Sequence, residues 1–267
     1  MSSETQDLNV KAERNRRNVL KMGAIFGSVA LTGVESARGQ SVSTVSPVAV
    51  HHCLLRGARV LTAKGECKVE DLAIGDLAPT MFGGVQPIQW IGHYPIKRSN
   101  PSKPWPKDAR PVRIARSALA ANVPRTDLYV TQAHALFVDD VLVCAGCLVN
   151  ETTITLNKAR ELNELEFFHI KLKNHDVIYA EGAPVETLLD VDESATNFAE
   201  YFRMYGAPTI AEAPCLPILS NRRMGRGFKS RFRSAMSWND RRKRIGVIRD
   251  RLEERAIALS QELEPSF

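Results

Sequence analysis

Three side chains in this sequence have the types and spacing to break a peptide bond. They are Cys53 and, some eighty residues on, Thr131 and His134 within Tyr129-Val130-Thr131-Gln132-Ala133-His134-Ala135-Leu136. A thiol suits the task because some thiolate exists near neutral pH and sulfur is strongly nucleophilic. An amide nitrogen leaves poorly and must be protonated as it departs. An imidazole, whose ordinary pKa lies near working pH, can supply that proton. A hydroxyl at Thr131 can hydrogen-bond the amide being cut or the oxyanion that develops, a contribution of about 3 kcal/mol where such a donor operates. With Cys53 as nucleophile, the bond at risk is the one just before it, between His52 and Cys53.

The surrounding chain reads as short strands separated by turns. Cys53 opens the apolar run Leu54-Leu55-Arg56-Gly57-Ala58-Arg59-Val60-Leu61-Thr62, which ends at a turn at Lys64-Gly65. Gly83-Gly84 marks a second turn, and Val85 to Ile91 is a strand candidate. Ser99 to Asp108 must be a loop, since Pro101, Pro104 and Pro106 cannot donate to a ladder. Val112-Arg113-Ile114 and Asp127 to Thr131 resume the extended pattern. Leu136 to Val143 predicts a hairpin with Asp139-Asp140 at its turn. Phe167 to Leu172 and Val177 to Tyr179 predict two further strands joined by Lys173-Asn174-His175-Asp176. The fold class is mainly β.

The flanks differ from this middle. The chain has 267 residues, is 44% hydrophobic and carries a formal charge of +6, but Arg and Lys crowd its two ends. Arg14-Asn15-Arg16-Arg17 followed by the apolar run Met22 to Val34 matches a twin-arginine export signal, with cleavage before Gln40 expected from Ala37-Arg38-Gly39. The expected localisation is therefore the periplasm or the exterior. Residues 1–39 read as signal, 40–52 as a flexible arm, 53–190 as the strand-rich domain and 191–237 as an irregular basic linker. Residues 238–267 read as a basic amphipathic helix, because Ile245, Ile248, Leu252, Ala256 and Leu259 recur at intervals of three and four. Its Arg241, Arg242, Lys243, Arg244, Arg249 and Arg251 would suit an anionic partner.

The blocks from Cys53 onward, in order, resemble the Hint (hedgehog/intein) domain family. They are Cys53 to Thr62, Val69-Glu70-Asp71-Leu72 with Gly75-Asp76-Leu77, and Gln86-Pro87-Ile88-Gln89-Trp90-Ile91-Gly92. Pro111 to Ala115, Asp127 to Leu136 and Phe168 to Gly182 follow. The resemblance covers residues 53 to 190. It implies a horseshoe of short strands with pseudo-two-fold symmetry, followed here by the C-terminal helix. It also implies autoprocessing: an N–S acyl shift at Cys53, assisted by Thr131 and His134. His169 and His175 stand where the family's late block places assisting groups, and His52 is the residue before the junction. Inteins finish with a His-Asn pair, but Pro184-Val185-Glu186-Thr187-Leu188 has no Asn. The implied outcome is cleavage without full splicing, with the chain's own N-terminal segment as substrate and water or a small molecule as acceptor. The chain would then be a self-cleaving protein rather than a turnover enzyme.

Two rival readings stand beside this one. The fold could serve as an inactive binding or assembly module that uses its basic tail. Alternatively Cys144-Ala145-Gly146-Cys147, among five cysteines, could be a redox pair. No second Cys/His pair has zinc spacing, and neither a metal nor a cofactor is expected.

Overall fold

The computed structural model describes residues 52–189, 191, 193, 195–206, 215, 216, 218, 219 and 238–262. The signal at 1–39, the arm up to residue 51 and most of the stretch read as a linker lie outside the described residues. In chain order the strands are β1 (Leu54–Leu55), β2 (Arg59–Thr62), β3 (Gly65–Lys68), β4 (Leu77–Pro79), β5 (Val85–Pro87), β6 (Trp90–Lys97) and β7 (Val112–Ile114). Then come β8 (Leu128–Val130), β9 (Ala135–Val138), β10 (Val141–Cys144), β11 (Ile154–Leu156), β12 (Glu164–Lys171), β13 (Val177–Ala180) and β14 (Ala183–Glu186). Helix α1 (Phe198–Tyr205), strand β15 (Ile218–Leu219) and helix α2 (Trp238–Glu262) complete the described elements.

The strands form a six-stranded sheet in the order β11-β7-β8-β1-β12-β6 and a seven-stranded sheet in the order β15-β10-β9-β14-β13-β2-β3, with β4 and β5 as a separate pair. The period of two along β12 explains how the layers meet. Phe168 and Ile170 face one apolar core together with Leu54, Val60, Leu136 and Val185, which come from both sheets. Leu165 and Phe167 face a second cluster with Cys53, Trp90, Tyr94 and Trp105.

Several sequence expectations change in detail. The segment Val85 to Ile91 is not one strand. Val85 to Pro87 pairs with β4, whereas Gln89 N–H donates to the Lys171 carbonyl at 2.9 Å and the chain joins the six-stranded sheet from Trp90. Phe167 to Lys171 lies in β12 and Val177 to Tyr179 in β13, as expected, and the residues between carry the chain from one sheet to the other. The Asp139-Asp140 turn is present, with both residues in the left-handed region at φ of 50° and 60°.

Within 191–237 the structure has α1 and β15 rather than irregular chain alone. α1 is fixed by Asn197, whose side chain bonds both the His93 N–H and the Ile91 carbonyl on the edge strand β6, and by Tyr201 packed edge-on to Trp90. β15 adds in parallel to β10. Helix α2 buries Ile245, Ile248, Leu252 and Ala256, the periodic face read from the sequence. Part of its basic face is engaged by the domain itself. Arg244 donates to the Asp139 carbonyl, Arg251 pairs with the Asp139 carboxylate, and Arg255 donates to the Ser117 carbonyl. Two left-handed turns are thereby tied down by arginines.

Candidate functional site

Three neighbouring strands of the six-stranded sheet bring the first residues together. Cys53 immediately precedes β1, Thr131 immediately follows β8, and His169 lies on β12; β1 sits between the other two. Cys53 N–H, the amide of the bond ahead of it, donates to Thr131 Oγ1 at 2.9 Å, and Thr131 N–H donates back to the Cys53 carbonyl at 2.9 Å. The hydroxyl is thus an acceptor for the amide nitrogen at the junction. Cys53 and Thr131 are both buried.

From Thr131 the chain turns into the other sheet. His134 N–H donates to the Thr131 carbonyl at 3.1 Å, closing a tight turn. The backbone N–H groups of Ala145 and Gly146 then hold the carbonyls of His134 and Gln132 at 2.8 and 2.9 Å. This is what Cys144 and Cys147 frame: a turn, buried except at Gly146, that clasps the Thr131–His134 loop. No disulfide joins any of the five cysteines, all of which lie among the described residues.

His134 is fully buried, and neither of its ring nitrogens makes a hydrogen bond. Burial pushes its pKa down to about 4, against the pull of the Glu186 carboxylate and the nearby His52 backbone. The ring is therefore neutral at neutral pH. Its neighbour His169 lies 5.3 Å away between ring centroids and is also held well below the ordinary imidazole value, by burial first and then by His134 and His52. The period of two in β12 puts His169 on the Leu165 and Phe167 side, the side where Cys53 packs. Opposite His169 on β6 stands Gly92, where a Cβ would come within 2.8 Å of Trp90 and 3.0 Å of Tyr94.

His52 stacks on His169 at 6.1 Å with an interplanar angle of 13°. Its Nδ1 lies 2.5 Å from Glu186 Oε1. Glu186 is a residue the sequence reading passed over, noting only that no Asn stood nearby. It ends β14, which pairs with β9, so it lies beside the start of β9 and its Oε1 accepts the Ala135 N–H at 2.6 Å. Its other oxygen lies 3.5 Å from His175 Nε2. His175 Nδ1 accepts the Cys215 N–H at 3.0 Å, so the ring proton sits on Nε2, toward the carboxylate. Burial alone would raise the Glu186 pKa, but His52, His175 and His134 together hold it well below the usual carboxylate range. His52 shows the reverse balance: burial lowers its pKa, and the Glu186 charge and hydrogen bond more than offset that. The one signal that could have found Glu186 is a carboxylate at the end of an otherwise apolar strand, followed by Thr187 and Leu188, both buried.

The structure therefore gathers His52, the Cys53 backbone, Thr131, His134, His169 and Glu186 around one peptide bond, with His175 behind the carboxylate. Asp176, adjacent to His175, points elsewhere. It accepts from Phe82 N–H, Gly83 N–H and Gln86 Nε2. Among the described residues no group of His, Cys, Asp or Glu has the geometry to hold a metal ion.

The Hint domain profile matches residues 52–192, more than half of the chain. The chain belongs to the Hint domain family. The Cys53 block, the Gln86–Gly92 block and the block with Thr131 and His134 are among the features that carry the resemblance in the sequence. Solved structures similar to this Hint domain include a DnaB intein from Synechocystis sp. PCC 6803, at 9% identity and a TM-score of 0.35, covering 51% of this chain and 99% of that one. A bacterial intein-like domain from Clostridium thermocellum is 14% identical, with a TM-score of 0.35 and coverage of 51% and 99%. The gp41-1 intein is 13% identical, with a TM-score of 0.31 and coverage of 50% and 96%. No curated protein matches the chain.

Proposed function

We propose that this Hint domain cleaves its own chain between His52 and Cys53. The observation that carries the reading is the set of groups at that one bond: its N–H bonded to Thr131 Oγ1, with the fully buried His134 ring in the same tight turn and both its nitrogens open. Cys53 Sγ attacks the His52 carbonyl carbon. The C–N bond breaks, a C–S bond forms, and the amide becomes a thioester. The thiol proton ends on the departing nitrogen. Because the His134 ring is neutral at rest, it first accepts the proton from sulfur and then passes it to nitrogen, as base and then acid. An imidazole with both nitrogens open in a buried site is suited to partners that form only during the reaction. Thr131, fixed on the scissile N–H, holds the amide in register. His169 orders the rings of His134 and His52.

The thioester is then attacked at carbon by water or a small nucleophile, which frees the N-terminal segment and restores the Cys53 thiol. Without an Asn in 184–188, the splicing branch has no group to close it. Export by the N-terminal signal is part of the proposal, and the released segment would then be the short arm ahead of Cys53. The test is the full chain carrying a bulky tag ahead of Met1, incubated with and without dithiothreitol. The expected result is a thiol-accelerated cut at 52/53, absent in Cys53→Ala. A fusion that stays intact under reducing conditions favours an inactive Hint-fold module. Redox activity that survives Cys53→Ala but not Cys144→Ala favours the Cys144/Cys147 reading.

A further inference from the structure

We propose that Glu186 is the specificity-determining residue for the position before the cut, forming a subsite that accepts an imidazole N–H from residue 52. The proposal rests on the self-cleavage reading and adds to it what the site demands of its own substrate segment.

Glu186 is only 2% exposed, and a buried carboxylate is tolerated only if its oxygens are met by donors. The folded domain supplies one of these: Ala135 N–H lies 2.6 Å from Oε1, while His175 Nε2, 3.5 Å from Oε2, makes no hydrogen bond there. The second donor, His52 Nδ1 at 2.5 Å, comes from the segment that leaves. His52 itself is 22% exposed, so the pocket is a closed carboxylate reached from an open mouth.

The geometry also selects ring shape. The His52 imidazole lies parallel to His169, at 13° and 6.1 Å, while its Nδ1 reaches the carboxylate. A planar donor of imidazole size meets both conditions. Aliphatic side chains leave Oε1 with one donor fewer, and a carboxylate at position 52 faces Glu186 with like charge. His169 and His134 are the other titratable groups turned toward this ring, and both are imidazoles held neutral by burial.

The test uses the full tagged chain with residue 52 as His, Gln, Ala, Leu or Asp, in Glu186 and Glu186→Gln backgrounds. Cleavage rates are expected to rank His first, Gln next, Ala and Leu about tenfold or more slower, and Asp slowest, since a buried acceptor that loses its donor costs that much. In Glu186→Gln the preference for His should collapse to about twofold, the signature of coupling between the two positions. The same ranking in both backgrounds, or no preference for His, overturns the subsite. Glu186→Asp keeps the charge on a shorter stem and should give an intermediate preference, which guards against a Gln variant that fails to fold. A second arm needs no cleavage: NMR titration of the His52 ring in the uncleaved Cys53→Ala chain. The ring should titrate above its ordinary value and fall back toward it when Glu186→Gln is added. A His52 titration unmoved by Glu186→Gln overturns the subsite even if cleavage is real. A raised titration in a chain that never cleaves keeps the subsite and overturns the self-cleavage reading.

Discussion

The same clasp occurs twice in this molecule. At the junction, Thr131 Oγ1 accepts from Cys53 N–H at 2.9 Å, and Thr131 N–H returns to the Cys53 carbonyl at 2.9 Å. In the other sheet, Thr187 Oγ1 accepts from Asp176 N–H at 2.9 Å, and Thr187 N–H returns to the Asp176 carbonyl at 2.9 Å. What surrounds the two clasps differs. Around Cys53 stand His52, His134 and His169, side chains that can gain or lose a proton. The Asp176 carboxylate instead accepts from the Phe82, Gly83 and Val177 backbone amides and from Gln86 Nε2, and the titratable His175 and Glu186 are chain neighbours of Asp176 and Thr187 rather than groups on the held amide. A threonine holding a peptide unit is thus a fixing device that serves structure or chemistry alike. In the proposed reading, what turns the first clasp to chemistry is a thiol on the held residue and imidazoles beside it.

That contrast can be broken from either side. The largest effect is expected at the first clasp: Cys53→Ala abolishes cleavage outright while leaving the urea midpoint of the domain nearly unchanged. His134→Gln should follow, with cleavage slowed by a factor of about 10² to 10⁴, the usual worth of a positioned acid–base group. Rates are read from the appearance of the free N-terminal fragment on a gel.

Thr131→Val and Thr187→Val give the sharpest pairing. The first is expected to slow cleavage about a hundredfold, since the amide is no longer held in register. The second should slow cleavage by folded molecules less than tenfold, through its neighbours Glu186 and His175, and lower stability by about 1–3 kcal/mol, because Asp176 N–H is left buried without its acceptor. Equal effects of both substitutions on rate and on stability would erase the distinction.

The smallest effect is a pH dependence of stability. His52 is raised above the ordinary imidazole value of 6.5, so its contribution is complete below that value and is lost as pH rises through the raised one. His134 is lowered to about 4, so the unfolded chain binds the extra proton between those values and stability falls as pH drops from 6.5 toward 4. Glu186, held low, adds a further loss at still lower pH. Stability in urea should therefore be greatest near 6.5. His52→Ala should flatten the alkaline limb, and His134→Gln should reduce the acidic one, to which His169, also held low by burial, contributes the rest.

Much of this was legible in the sequence. The hairpin at Asp139-Asp140 and the burial of Ile245, Ile248, Leu252 and Ala256 followed from period and residue type, and a Thr131 contact to the amide ahead of Cys53 followed from the Hint resemblance. Short strands reveal their faces this way because the side chains alternate. What stayed hidden was long-range. Nothing local says that β12 and β13, with five residues between them, enter different sheets. The basic face of α2 looked like a surface for anions, and only the fold shows Arg244, Arg251 and Arg255 on the turns at Asp139 and Ser117. Glu186 escaped for the same reason: its partners His52, Ala135 and His175 come from elsewhere in the chain, and ion pairs of that kind leave no periodic trace.

The central claim is a thioester at residue 52, and hydroxylamine tests it most directly. Folded tagged chain is incubated with neutral hydroxylamine, and the released N-terminal fragment is weighed by mass spectrometry. The expected fragment ends at His52 and carries a hydroxamate, and it appears faster than in buffer alone. A chain that hydroxylamine leaves whole, or a fragment released equally from Cys53→Ala, would contradict the account.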